Sequence, residues 1–444
     1  MRHSIPLLAV LALCATSSAG FDFIVKPYLQ QPTPTSMVVG FETSSWDELS
    51  MVDWGTTPDL GQTAFGSWQA SSAGTRIHHI QLTGLQPSTR YWYRGATELH
   101  VGEVQTFTTA PDPADETTFN FLAFSDAQYG GYGTVLQDIV DLGIVPFMEQ
   151  DSGGLGLDQS AGFLMVAGDL VSTGSNHSHW TDHFFGQADD LLKHVPILPA
   201  LGNHEANANL YYEYFDLPDE HGTERWYPTD YGNVRVLSLD SNIGGAAQTA
   251  WLQGELDEAA TLDSIDFLIV QLHHPHESEQ WTPGESGFTT AVVELLEQWS
   301  DLTGKPSVHV FGHTHGYSRG QRRDHRHLMV NAATAMGSID YWWDYPNKDY
   351  DEFQITLQEW GFVQMEVGTG DEPWFRLRRI SRGNDYVTLD NEVTDEFVIR
   401  TNNTHPDTPA GLSPTLDDGP IDGDAAVLQG SAFNDLDGDA PLAS

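Results

Sequence analysis

The chain has a single cysteine, Cys14, in 444 residues. A disulfide framework is excluded, and so is a zinc site closed by thiolates. Lysine is nearly as scarce, with 4 Lys and 15 Arg making up the 19 basic residues. Against 63 acidic side chains they leave a formal net charge of −44. A surface of that sign repels polyphosphate backbones and anionic headgroups, which excludes a basic face for nucleic acid and docking on acidic lipid. Beyond the first 20 residues, no run approaches the ~20 apolar side chains of a membrane span. What is present is ordinary for a globular protein: 39% apolar and 11% aromatic residues. That load is too high for wholesale disorder, and the length suits two or three domains.

Residues 1–20 open with Met1, Arg2 and His3, continue through an apolar stretch at 7–15, and end in small residues at 16–20. This is the layout of a secretory signal cut near Ala19 or Gly20, so a secreted, periplasmic or cell-surface protein without membrane insertion is expected. Residues 21–110 carry short alternating runs at 37–41, 77–82 and 90–94, which predict a small all-β sandwich. The stretch from Gly84 to Tyr91 is similar to the tyrosine corner of fibronectin-type-III modules. Pro111-Asp112-Pro113 makes a stiff linker. Over 117–400 the pattern becomes α/β. Near-continuous apolar strands at 119–124, 163–167, 195–201, 265–272 and 307–311 alternate with helical spacing at 135–149, 181–194, 247–260 and 289–302. Residues 401–444 hold eight Asp and no Glu, Lys or Arg, and read as an acidic flexible tail. Within it, 435–439 has only part of a calcium-loop pattern.

Function is written where the five strands end. The first runs into Ser125-Asp126-Ala127-Gln128, the second into Gly168-Asp169 and the third into Gly202-Asn203-His204-Glu205. The fourth meets His273-His274-Pro275, and the fifth Gly312-His313-Thr314-His315. In α/β sheets the carboxyl edge is where ligands bind, so these ends are expected to converge. Asp126, Gln128, Asp169, Asn203, His273, His313 and His315 make a mixed oxygen and nitrogen set, which suits iron, manganese or zinc better than magnesium alone. A shared carboxylate such as Asp169 can bridge two cations, and such a pair activates water for displacement at phosphorus.

This ordered set, behind a fibronectin-like module, resembles the calcineurin-like metallophosphoesterases and, within them, the purple acid phosphatases. The resemblance implies a β-sandwich flanked by helices and a binuclear centre that attacks phosphomonoesters with a metal-bound hydroxide, without a phosphoenzyme. One metal would take Asp126, Gln128, Asp169 and His315; the other would share Asp169 and take Asn203, His273 and His313. His204 would be catalytic, beside the substrate phosphate, together with Asp169. His274, His276, Arg319 and Asn203 are further expected substrate contacts. The histidines at 177, 179 and 183, Tyr129, the tryptophans at 342 and 343 and the arginines around Arg322 and Arg378 are weaker candidates. Purple enzymes carry a tyrosine where this chain has Ser172, so no tyrosinate colour is expected. Gln128 stands where other family members have His, and resembles the pattern of manganese-dependent nucleotide diphosphatases. A phosphodiesterase or nucleotide diphosphatase is therefore one alternative. A catalytically inert surface binding protein that uses its β module is another. The small phosphoester is the one partner expected; oligomeric state is open.

Overall fold

The apolar runs form strands in two different sheets. The computed structural model describes residues 23–401 other than 45, 132, 220, 221, 323 and 334, together with short strands at 411–413 and 429–430. The expected signal at 1–20, Cys14 and the calcium-like run at 435–439 lie outside the described residues.

β1 (Phe119–Phe124), β2 (Leu164–Val166) and β3 (Ile197–Pro199) lie side by side and parallel in a ten-stranded sheet. β4 (Phe267–Gln271) and β5 (Ser307–Phe311) are parallel neighbours in a seven-stranded sheet. Successive side chains of a strand point to opposite faces, so each strand serves two cores. Phe121, Ala123 and Met165 meet Ile269, Val308 and Val310 between the sheets. Leu122, Phe124 and Val166 pack outward against Leu136, Trp180 and Leu191. On the far side, Leu268 and Val270 pack on α1 (Ala246–Thr261) and α2 (Gly287–Thr303) through Leu252, Leu296 and Trp299. The result is a helix–sheet–sheet–helix stack, and burial on both faces explains why the strands read as unbroken apolar runs.

Local chemistry sets the boundaries. α2 starts at Ser286, whose side chain accepts from the Thr289 amide, and stops at Gly304 with φ 71°. The third strand is shorter than the run at 195–201, because Pro196 and Pro199 have no N–H to donate to a ladder. Two of the expected helices contain wide turns, at Ile139–Ile144 and His179–Phe185. Spacings of three and four do not reveal such an inserted residue. In the tail, Gly411–Ser413 pairs antiparallel with Gln429–Gly430 where an unstructured segment was expected; backbone pairing requires no apolar burial.

In the N-terminal sandwich Val39, Phe41, Trp54, Ile80, Tyr93 and Phe107 form the core. The Tyr91 hydroxyl accepts from the Gln86 amide at 2.9 Å, as a tyrosine corner does. One of its sheets does not end with the sandwich: Gln30 pairs in parallel with Ile197 of β3, so its strands belong to the ten-stranded sheet. The junction is reinforced by Arg90, which donates to Asp158 at 2.6 and 3.2 Å. Buried Glu42 accepts from Tyr214 at 2.8 Å and pairs with His177 at 2.6 Å. Among the described residues, no helix is long and apolar enough to cross a membrane.

The two sheets are also pinned by charge. Arg319, on the strand Tyr317–Gln321 of the seven-stranded sheet, donates to Asp395 on Thr388–Arg400 of the ten-stranded one, at 2.6 and 3.0 Å. The Tyr317 hydroxyl donates to the same carboxylate at 2.7 Å. Both ionic partners are under a tenth exposed. Asp395→Ala should therefore strand a buried guanidinium and cost about 3–5 kcal/mol. Asp390→Ala, which removes a 98% exposed partner of Arg382, should stay within about 0.5 kcal/mol. Urea unfolding midpoints check both.

Candidate metal centre

Three of the five strands end in a left-handed turn. Asp126, Asp169 and His313 have φ of 55°, 53° and 70°, a left-handed backbone that residues with a Cβ rarely adopt and that costs on the order of 1–3 kcal/mol each. The surroundings hold these turns in place. The Asp126 carbonyl accepts from the Met336 and Gly337 amides at 3.1 and 2.8 Å. Its carboxylate accepts from the His313 amide at 3.2 and 3.0 Å, and Asp169 Oδ1 accepts from the His204 amide at 2.9 Å. Two glycines admit this crowding. A Cβ on Gly202 would collide with the Asp169 carboxylate, and one on Gly312 with the Asp126 carboxylate and the Ser125 hydroxyl.

The donors that meet at this edge are short of protons. His273, fully buried, donates Nδ1–H to the Ala167 carbonyl at 3.0 Å. Its Nε2 then faces Asp169 Oδ2 at 3.1 Å, Asn203 Oδ1 at 3.0 Å and His313 Nδ1 at 3.1 Å. His315 likewise donates Nδ1–H to the Ser338 carbonyl at 2.6 Å, and its Nε2 lies 3.3 Å from Asp126 Oδ1. The Gln128 amide is 3.0 Å from that Nε2, and turning the amide over brings Oε1 there instead. Without a cation, a proton has to sit among these lone pairs. Burial pulls both imidazoles down, but Asp169 beside His273 and Asp126 beside His315 outweigh it and hold each at about 9. His313 goes the other way, to about 3, through burial and the neighbouring His273 and His274. A metal ion replaces such protons. One ligand atom each from Asp169, His273 and His313 falls within a 4.8 Å cluster, and the donor types fit a transition ion.

Two histidines face the open side. His204 donates Nδ1–H to the Ser172 carbonyl at 2.9 Å, and its Nε2 lies 3.8 Å from Asp169 Oδ2, with the side chain 40% exposed. The Ser241 hydroxyl accepts from the amides of His273 and His274, at 3.2 and 2.9 Å, so its own hydrogen goes to His274 Nδ1 at 2.8 Å. That places the ring proton of His274 on Nε2. Burial, then His273, pull His274 down to about 4, which keeps it neutral.

Two expected substrate residues, His276 and Arg319, are engaged with other side chains. His276 uses Nδ1 on the Thr290 hydroxyl at 3.0 Å and Nε2 to accept from Arg322 at 2.8 Å. Arg319 is held by Asp395. Arg322 also pairs with Glu297, Arg378 with Asp151 and Arg382 with Asp390. His177 is bound to Glu42, while Tyr129 stacks on His183 and His183 on His179, with centroids 4.7 and 5.1 Å apart.

Three supporting residues were not singled out from the sequence. Buried Glu205 accepts from the amides of Asp169, Gly202 and Val171 at 3.0, 2.7 and 3.2 Å, stapling one ligand turn to the next. Burial and the facing Asp169 push its carboxyl up to about 8. Its position directly after Asn203-His204 was a visible signal. Asp340 accepts from the His315 amide at 2.8 Å, and the Trp281 ring lies tilted against His313 with centroids 4.7 Å apart; both lie in loops without a motif. Glu205→Ala leaves three buried amides unmatched at about 1–3 kcal/mol each, so it should lower the unfolding midpoint and the metal content together. Gly312→Ala, which touches no ligand side chain's chemistry, should reduce bound metal by displacing Asp126. Elemental analysis of the purified variants reads both.

Comparison with known proteins agrees with this geometry. The profile of the purple acid phosphatase N-terminal domain matches residues 24–109, and that of the calcineurin-like phosphoesterases matches residues 119–317. An uncharacterized protein of Mycobacterium tuberculosis is 26% identical over 325 residues, covering 64% of this chain and 59% of its own. "Probable inactive purple acid phosphatase 27" of Arabidopsis thaliana is 22% identical over 404 residues, covering 75% and 61%. Purple acid phosphatase 23 of the same plant is 25% identical over 278 residues, covering 55% and 58%. The chain thus spans about three fifths of the length of these curated relatives. Among solved structures, purple acid phosphatase PPD1 from yellow lupin (Lupinus luteus) seeds aligns with a TM-score of 0.64 at 18% identity, covering 84% of this chain and 73% of that one. PhoD aligns at 0.61 and 12% identity, covering 87% and 90%. With both profiles matched in order and the fold shared, residues 24–109 form a purple acid phosphatase N-terminal domain and residues 119–317 a calcineurin-like phosphoesterase domain.

Proposed function

We propose that this protein is an exported phosphohydrolase that holds two ions of iron, manganese or zinc and cleaves small phosphomonoesters. The observation that carries the reading is the ring of acceptor atoms around His273 Nε2 and His315 Nε2, which a cation on each side would satisfy. Asp126, Gln128, Asp169 and His315 would hold one ion; Asp169, Asn203, His273 and His313 would hold the other. Such a pair, when bound, supplies Lewis acidity toward phosphate and a water activated near neutral pH.

The chain's own groups do the rest. His204 is oriented by the Ser172 carbonyl, and when protonated it offers Nε2–H to a phosphate oxygen or to the leaving group. His274 offers a neutral Nε2–H, directed by the Ser241 hydroxyl. The acidic surface favours a small substrate over a polymer.

Some relatives are named inactive, but both carboxylates of the set, Asp126 and Asp169, are present here, which weighs against an inert binding protein. A second reading, a phosphodiesterase or nucleotide diphosphatase, draws on Gln128, a buried neutral amide beside His315. Turnover of a monoester should exceed that of its diester on metal-loaded protein; the reverse ratio favours the second reading. Asp169→Ala should lose both metal and phosphate release. His204→Asn should keep the metal while kcat falls about 10²- to 10⁴-fold. Metal-loaded protein that releases phosphate from neither ester class would overturn the proposal.

A further inference from the structure

The geometry points to an aromatic shelf beside the metal centre, built from Trp281 and Tyr345, that receives an uncharged planar ring on the substrate's leaving group. This rests on the phosphomonoesterase reading above. The Trp281 indole lies against the His313 imidazole, with centroids 4.7 Å apart and planes at 37°. The Tyr345 ring lies against Trp281 at 5.6 Å and 42°. Rings therefore step outward from a candidate metal ligand, through half-buried Trp281, to Tyr345, which is 45% exposed. A lone exposed aromatic is unremarkable. This one is held in place. The Thr282 amide donates to the Pro346 carbonyl at 3.0 Å, Asn347 Nδ2 to the Tyr345 carbonyl at 3.1 Å, and Gln280 Nε2 to the Asp340 carbonyl at 2.8 Å.

The segment that carries Tyr345 also supports the centre itself. The Asp340 carboxylate accepts from the His315 amide, and the Ser338 carbonyl takes His315 Nδ1–H. The shelf is thus tied to both histidines of the His-Thr-His turn, which fixes its distance from any phosphate bound there. A further ring stacked or tilted at about 4.5–7 Å would continue the series.

Charge narrows what that ring can be. Asp340, Asp344 and Asp349 lie in this segment, and its one lysine, Lys348, rests on the Tyr350 ring at 3.5 Å. A leaving group bearing its own phosphate is repelled here, whereas a neutral ring is not. Phenolic and nucleoside monoesters share that chemistry. A second ring pair near the centre is Tyr129 on His183; Tyr129 directly follows Gln128, and its carbonyl accepts from the Ser172 hydroxyl at 3.2 Å. It is the rival location.

The test uses metal-loaded full-length protein, wild type and Tyr345→Ala, with 1-naphthyl phosphate, adenosine monophosphate and glycerol 2-phosphate as substrates. Calorimetric titration with phenylphosphonate and methylphosphonate adds a readout that requires no turnover. Tyr345→Ala should keep its metal and its kcat, raise KM for the ring-bearing esters about three- to ten-fold, and leave glycerol 2-phosphate unchanged. Tyr345→Phe should behave as wild type. Wild type should bind phenylphosphonate more tightly than methylphosphonate, and Tyr345→Ala should lose the difference. A rise confined to the naphthyl ester assigns the shelf to phenolic esters, and one confined to the nucleotide assigns it to nucleosides. No preference between the phosphonates, or a KM shift in Tyr129→Ala in place of Tyr345→Ala, overturns the shelf. A wild type that prefers phenylphosphonate yet hydrolyses none of the three esters overturns the phosphomonoesterase reading and leaves the shelf standing.

Discussion

Three acceptor atoms lie 3.0 to 3.1 Å from His273 Nε2, and the only thing the protein itself can place among them is a proton. Carboxylates and imidazoles brought this close repel one another unless a positive charge is shared. The fold has to supply the force that keeps them together, and it does so with backbone. Left-handed turns at three ligands, two glycines pressed against carboxylates and the Glu205 staple all hold chain segments, while the ligand atoms themselves stay directed inward. Two sheets are needed because no single strand neighbourhood brings Asp169 and His273 together.

The same demand shapes the polar interior. Buried charge is tolerated where each group is matched, as with Arg319 between Asp395 and Tyr317 or Glu42 between His177 and Tyr214. Such pairs add little net stability and a large penalty for losing one partner. They fix how one layer sits on the next, and the relative position of the strand ends follows from that.

Much of this was legible in the amino-acid order. Three of the strand ends carry their donors next to glycine, at Asp169, Asn203 and His313, and the apolar runs before them are long enough to read as doubly buried. The destinations of the long basic side chains were not legible. With 63 acidic residues in the chain, most of the described arginines pair with a carboxylate, and Arg319 and Arg322 settle on Asp395 and Glu297. The partners of His276 were not legible for a similar reason: a hydroxyl and a guanidinium take up its ring nitrogens. Asp340 and Trp281 escaped because loops that fold back over a site leave no periodic trace.

The bridge between Gln30 and Ile197 also bears on how the chain assembles. A strand near the start of the protein finds its neighbour only after more than a hundred and fifty further residues have been made, counting from the two paired positions (197 − 30). Until then that sheet edge offers unpaired amides and carbonyls to any other extended chain. A protein threaded unfolded across a membrane meets its missing strand within the same molecule once release is complete. One folding inside the cell as it is synthesised would have to guard the edge throughout. The continuous sheet therefore makes this edge of the amino-terminal sandwich a long-range contact, whose formation carries the entropy cost of closing a long loop.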